Sequence, residues 1–454
     1  MGIKRAINFL RNNSIAFAGV LSFFTFGYGL FPGRIYKDSA TMFELMSEGR
    51  STDQWNALYF WFLSLTSNRG QFPFIPALIC AALLYVSVFL FIESLPILEQ
   101  SKKQIFLFII VTPFVGVFGF TIGHDVTATS GILLLLRILF ITNSSKLPRS
   151  EILITALGVV LSSTSNLGCA AVLGFSLGMF FRNRKLISIC SILASATITL
   201  AGPSLLSIER AEVDLSLAAF VGDIKCIAQH PEAEISQNEW EALTALGPKT
   251  RWLEPKSCAI ADNGFFALES ASNSKSEVLR TWMSLIRNNP QIMLQARIQR
   301  ASNALPPIFF RSPPNMFDTS YSNPVGALAA NDLQIHPDLF KTSVDLPANQ
   351  VGRLPFQNIL EPIVLLPTFF LNQRSDLWGW GGFWLTFAIF MLLIRFRKEA
   401  PFYLVNLLPL VFMHMALVLF SPSSAPRYVY ASILVGIISL LNLVTTGMRW
   451  VKAK

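Results

Sequence analysis

Apolar residues fall along this chain in blocks of about twenty, the length of helix that crosses a bilayer core. The blocks predict membrane helices at 15–31, 72–95, 104–122, 126–142, 186–207, 377–396, 401–420 and 428–447. The first reads as a retained helix, because its apolar region is long and no small-residue cleavage site precedes the polar stretch from Pro32. Between 151 and 181 two short apolar halves flank the polar centre Ser162-Ser163-Thr164-Ser165-Asn166. That stretch reads as a helical hairpin crossing twice, or as two re-entrant pieces whose backbone polar groups are sheltered by protein.

Composition narrows the class. Charged residues make up 14% of the 454, against roughly 25% in a soluble globular protein. An ordinary soluble enzyme and a disordered chain are both excluded. A nucleic-acid binder is disfavoured too, because the formal +9 is spread in small clusters between apolar runs. Those clusters set an orientation: Lys4, Arg5 and Arg11; Lys102 and Lys103; Lys146 and Arg149; Arg182, Arg184 and Lys185; Arg395, Arg397 and Lys398; Arg449, Lys452 and Lys454. All six fall on one face if the helices alternate and the hairpin counts as two crossings, so the positive-inside rule predicts about ten crossings with both termini inside.

Three segments then lie outside: 32–71, the corner 123–125, and 208–375. The expected organisation is an N-terminal membrane module (1–207), a small mixed extracytoplasmic domain (208–375) and three C-terminal helices (376–454). The middle unit shows helix-like runs near 211–229, 235–246, 276–288 and 291–304, then Pro- and Asn-rich sequence to about Gln350. Asn289-Pro290 is a helix start, Asn as N-cap and Pro in the first turn. Ile359 to Leu371, broken by Pro362 and Pro367, is too short to span and is expected at the outer boundary. Neither tandem repeats nor an inverted repeat is visible. Cys226 and Cys258 are the only cysteines in the outside unit, where an oxidising compartment lets them pair. Cys80, Cys169 and Cys190 sit in apolar helices, and no Cys/His cluster suggests zinc.

The candidate chemistry lies at the outer rim. Asp38 precedes or begins a short helix over Ser39–Ser47 that presents Ala40, Phe43 and Met46 on one face. Its plain use is an N-cap carboxylate. Asp125, in Gly123-His124-Asp125-Val126, sits at a corner between two apolar helices, where a charge is either an exposed cap or part of a site. Two carboxylates from separate corners on one side of a membrane mark the depth at which a water-filled site would open. Asn166 and Arg427 come out on the same face. Arg427 is either an interfacial anchor or a bidentate phosphate ligand. His414, mid-helix, reads as a helix–helix hydrogen-bonding residue.

Pro32-Gly33 followed by Asp38-Ser39, an interfacial helix, and the segment Asp53-Gln54-Trp55-Asn56-Ala57-Leu58-Tyr59 resemble the GT-C class of integral-membrane glycosyltransferases. So do Asp125 after the third helix, the outside stretch from Asp223 to Cys258, and Arg427-Tyr428-Val429-Tyr430. The first loop departs from the Asp-Trp-His-Pro-Pro-Leu-Tyr pattern of similar bacterial members, with Gln54 inserted and Asn56-Ala57 in place of His-Pro-Pro. The resemblance implies a bacterial inner-membrane enzyme with its site facing the periplasm. Its donor would be a sugar on a polyprenyl phosphate, and its acceptor a lipid-linked or surface glycan. Length and domain size are similar to phage-type enzymes that add glucose to O-antigen, which implies undecaprenyl-phosphate glucose as donor.

In that chemistry Asp38 is the expected general base. Arg427 is expected to stabilise the departing phosphate, with Lys37, Arg34 and His124 behind it. Asp125 would orient the acceptor, balance Arg427 or hold a divalent ion, although no complete oxygen ligand set is visible. Tyr428, Asn166, Glu44 and Trp55 complete the expected substrate-binding set. A polysaccharide polymerase or ligase is the competing enzyme class. It would lean on Arg251, Arg280, Arg287, Arg297 and Arg300, the last two read first as a solvated basic face. A flippase is the non-enzyme alternative, disfavoured by the scarcity of charge within the helices.

Overall fold

The computed structural model describes residues 14–31, 33–35, 37–51, 56–141, 148–209, 217–256, 258, 261, 264, 267–268, 275–305, 354–357, 359–364, 380–420 and 426–446. Its first half comprises α1 (Ser14–Gly29), β1 (Arg34–Ile35), α2 (Lys37–Ser47), α3 (Ala57–Thr66), α4 (Phe74–Ser94), α5 (Glu99–Val111), α6 (Pro113–Gly119), β2 (Thr121–Ile122), α7 (His124–Ile141), α8 (Arg149–Ser162) and α9 (Asn166–Phe181). Then come α10 (Lys185–Leu205), α11 (Ala218–Gln229), α12 (Gln237–Leu246), α13 (Lys249–Leu253), α14 (Lys275–Asn288) and α15 (Pro290–Arg300). The chain ends in α16 (Gly381–Phe396), α17 (Ala400–Phe420) and α18 (Tyr430–Thr446), the last preceded by a 3₁₀ turn at Pro426–Val429. Among the described residues, α4, α7, α10, α17 and the run Arg427–Thr445 are long and apolar enough to cross a membrane; α1, α3, α9 and α16 are shorter apolar helices. The protein is an α-helical membrane protein.

Two features depart from the expected spans. The block 104–122 is not one helix. Thr112 is extended and Pro113 opens α6 at its first turn, so the chain turns between α5 and α6. The connection between α1 and α4 also holds an unpredicted apolar helix, α3. Asn56 caps it, its side chain accepting from Leu58 N, and Tyr59, Phe60 and Leu63 are buried beneath. Ten residues are too few to register as a crossing.

The stretch 151–181 is a helical hairpin, α8 and α9, whose polar turn lies at the same end as the start of α7. Thr164 Oγ1 and Thr127 Oγ1 are hydrogen-bonded at 2.7 Å, and Asn56 Nδ2 donates to Ser163 O at 2.7 Å. Close contact of α7 with α8 depends on Gly131, where a Cβ would stand 2.4 Å from Ser162 N. At the other end, Arg137 bonds Glu151 at 2.7 Å and Leu90 O at 3.0 Å, which neutralises the buried cation between helices.

The unit from α11 to α15 has its own hydrophobic core, including Ile224, Leu243, Trp252, Val278 and Leu285. Its described residues are helical, without the strands that a mixed domain would show. Cys226 and Cys258 are disulfide-bonded, with Cα atoms 5.6 Å apart. Ser236 and Glu239 form a reciprocal capping box on α12. Arg297 and Arg300 are not a solvated face. Both turn inward onto Asp223, which is fully buried: Arg297 Nε reaches its two oxygens at 2.9 and 2.8 Å, Arg300 Nη2 bonds Oδ1, and Trp282 Nε1 donates to Oδ2 at 2.9 Å. Burial pushes both guanidinium pKa values down to about 10, so they stay charged at neutral pH. Asn289 does precede α15, but its side chain makes no cap. It clamps the main chain of Glu234 instead, accepting from N at 2.8 Å and donating to O at 2.9 Å.

This unit meets the bundle through Ser302–Leu305. His414 Nδ1 donates to Ala304 O at 2.7 Å, and its Nε2 accepts from Ser432 Oγ at 2.8 Å. A carbonyl only accepts, so the proton is on Nδ1. His414 is therefore the helix–helix hydrogen-bonding residue that the sequence suggested. Helical residues 359–364, the described part of the expected boundary segment, lie against the end of α1, with Val364 over Gly29.

Candidate functional site

A parallel ladder of two residues per strand builds the site. Arg34 pairs with Thr121 and Ile35 with Ile122. The ladder joins the first loop to the corner before α7, so α2 and α7 start side by side. Gly33 permits it: its φ is +111°, and a Cβ there would stand 2.6 Å from that of Ala77. Ser39 Oγ then donates to Ile122 O at 2.5 Å, a second tie between the same segments.

Asp38 and Asp125 are each the second residue of a helix, Asp38 in α2 and Asp125 in α7. Asp38 thus stands inside the first turn and not at the cap. Both carboxylates gain from the positive end of a helix dipole. Arg427, from the 3₁₀ turn before α18, reaches both. Its Nη2 donates to Asp38 Oδ2 at 2.8 Å, and its Nε lies 3.4 Å from Asp125 Oδ2. The turn is pinned next door, where the Tyr430 ring stacks on Phe118 with centroids 3.7 Å apart and its hydroxyl donates to Phe114 O.

Exposure falls across the cluster, with the Asp38 side chain 28% exposed, Arg427 20% and Asp125 4%. The site is open on the Asp38 side and closed behind Asp125. His124 Nε2 is 3.3 Å from Asp125 Oδ1, and Tyr428 Oη accepts from Arg427 Nη2 at 3.3 Å. Behind them Tyr59 is fully buried, its ring edge-on to His124 with centroids 5.8 Å apart. Asp125 Oδ2 is buried with only its ion pair to Arg427, and Tyr59 Oη, also buried, lies near the Ser39 hydroxyl without a well-aligned hydrogen bond to it. Such under-satisfied buried oxygens beside an ion-pair cluster mark a place for a ligand hydroxyl or water.

The fold therefore gathers Asp38, Asp125, His124, Arg427 and Tyr428. Glu44 does not join them: six residues beyond Asp38, it is rotated roughly 240° around α2. Asn166 begins α9 and is exposed, and the hairpin contributes Thr164 and Ser163 to this end instead. Arg34 and Lys37 are placed by their backbone in β1 and α2; Trp55 lies outside the described residues. Sequence reasoning did not single out Tyr59, Thr127, Thr164 or Ser39 as site residues. For Tyr59 the available signal was its place at the end of the Asp53–Tyr59 segment. Among the described residues, no group of three or more His, Cys, Asp or Glu gathers to hold a metal ion. No family model, curated protein or solved structure matches the chain.

Proposed function

We propose that the protein is a membrane glycosyltransferase that moves a sugar, glucose in the favoured case, from a polyprenyl phosphate to a lipid-linked or surface glycan. On this reading it has about ten crossings in a bacterial inner membrane, with the site and the α11–α15 unit on the periplasmic side. The observation that carries it is the convergence of Asp38 and Asp125 on Arg427, at 2.8 and 3.4 Å. In support of the shared side, residues 302–305 pack at the starts of α16 and α18, beside the turn that bears Arg427.

The chemistry follows from the parts. An acceptor hydroxyl attacks the anomeric carbon and forms the new C–O bond, while the bond from that carbon to phosphate oxygen breaks. The hydroxyl proton passes to Asp38, and the leaving polyprenyl phosphate takes the electron pair. Arg427 suits that phosphate because its fork matches two oxygens. A donor phosphate competes with both carboxylates for the guanidinium, so donor binding frees the Asp38 oxygen for the acceptor hydroxyl. Asp125, too enclosed to meet solvent directly, holds Arg427 in register. The competing ligase reading loses two of its loop arginines, since Arg297 and Arg300 are committed to Asp223.

The test is to incubate purified protein with a panel of polyprenyl-phosphate sugars and lipid-linked glycans and score transfer by mass. Transfer by the wild type, lost in Asp38→Asn, supports the reading. Failure of the whole panel, with correctly folded protein, counts against it.

A further inference from the structure

At the far end of the bundle from Asp38, a cavity of about 60 Å³ opens between α4, α7, α16 and α18. Phe91, Phe140, Met391, Leu392 and Val435 give it apolar walls, and Arg395, Ser439 and Asn442 are its polar residues. Arg395 is half-buried in the last turn of α16. No described carboxylate pairs with it; the Phe396 ring is 5.8 Å from its guanidinium carbon, and Tyr403 lies within electrostatic reach. Three other cations at this end already have partners. Arg137 holds Glu151, Lys102 holds Glu99, and Arg182 bonds Asn406 and lies over Phe402 at 4.1 Å.

A guanidinium at the rim of an apolar cavity in a membrane protein calls for an amphiphile with an anionic head. Hydrocarbon suits the apolar walls, and a phosphate diester accepts from the arginine fork. Basic pockets between membrane helices are where anionic lipid headgroups bind. We propose that this cavity is a binding site for one anionic phospholipid, seated with part of an acyl chain against Phe91, Phe140 and Val435 and its phosphate on Arg395. The inference does not depend on the glycosyl-transfer reading.

The test uses the full-length protein in nanodiscs of phosphatidylcholine with phosphatidylglycerol added, followed by delipidating washes and mass measurement of retained lipid. Wild type is expected to keep one phosphatidylglycerol per chain in preference to phosphatidylcholine. Arg395→Gln should weaken this about tenfold, the value of one charge-assisted hydrogen bond. Ser439→Leu, which fills the cavity and leaves the arginine, should weaken it as well. Lys103→Gln, an exposed cation at the same end, should retain it. Equal retention in wild type, Arg395→Gln and Ser439→Leu overturns the site. So does displacement of the lipid by inorganic phosphate alone, which would show a simple anion site, or a loss in Lys103→Gln equal to that in Arg395→Gln, which would show only a diffuse basic surface.

Discussion

Arg427 donates to Asp38 at 2.8 Å across 389 residues of chain. This contact closes the segment that follows α1 onto the turn before α18. The same guanidinium stands 3.4 Å from Asp125, so one cation is shared by two carboxylates of unequal exposure. On the proposed reading that asymmetry separates their roles: the more open Asp38 meets an incoming hydroxyl, whereas Asp125 is enclosed and fixes the cation.

Arg427→Ala leaves Asp125 enclosed without its cation. Breaking a buried pair from one side costs about 3 kcal/mol, so unfolding in detergent should move to a markedly lower temperature. Adding Asp125→Asn to that variant removes the stranded charge and should restore most of the loss. Purely additive losses in the double variant would show that Arg427 does not serve Asp125.

Asp223 makes a harsher case. Asp223→Asn leaves Arg297 and Arg300 facing each other in the interior, with an expected cost of about 3–5 kcal/mol. Replacing all three by apolar residues of similar volume should be far less damaging, because it removes the desolvated charges together. Chemical unfolding of the two variants measures this, and a triple variant as unstable as Asp223→Asn would count against the account.

At Asn289, cap and clamp are distinguishable. Serine caps a helix as well as asparagine does, so Asn289→Ser should be harmless if the residue only begins α15. Its observed bonds reach Glu234 N and O, and Leu285 O, which serine is too short to span. Loss of the clamp should cost about 1–3 kcal/mol, read as a lower unfolding midpoint.

Much of this was legible in advance. Apolar blocks located most of the membrane helices, and local periodicity located α11, α12, α14 and α15, because both signals lie within one element. Long-range pairing was not legible. Arg297 and Arg300 looked solvated because their partner, Asp223, lies 74 and 77 residues earlier. The β1–β2 ladder has two residues per strand, too few for alternation to show, yet it is what sets Asp38 beside Asp125. The two acidic corners could be placed on one face from topology; their shared arginine needed the fold.

Glu239 gives a pH signature. Burial pushes its carboxyl pKa up, but hydrogen bonds from the Ser236 backbone and side chain, Ser284 and Asn288 outweigh this, and the net shift is downward from 4.5. A depressed folded pKa contributes stability that is present above the unfolded value and lost as pH falls through the folded one. Wild type should therefore exceed Glu239→Gln in stability at neutral pH, and the gap should narrow in acid below pH 4.5. Thermal unfolding at both pH values checks it. A gap that widens in acid would reverse the sign.

Tyr59→Phe separates a waiting group from a structural one. The tyrosine hydroxyl is buried beside the acidic site, near a Ser39 hydroxyl that already donates to Ile122 O, and has no well-aligned hydrogen bond among the described residues. An unpaired buried hydroxyl costs about 1–3 kcal/mol relative to one that is bonded. Removing it should therefore leave the fold as stable as before or slightly more so. If the hydroxyl is held there to meet a substrate oxygen, the same change removes one hydrogen bond from the bound complex, and transfer should fall about tenfold. Stability and activity then move apart, which a packing residue does not produce. A Phe variant that loses stability would mean the hydroxyl is already bonded in the resting protein. One that keeps both properties would mean that it meets nothing during turnover, leaving Asp38, Asp125 and Arg427 to act without it.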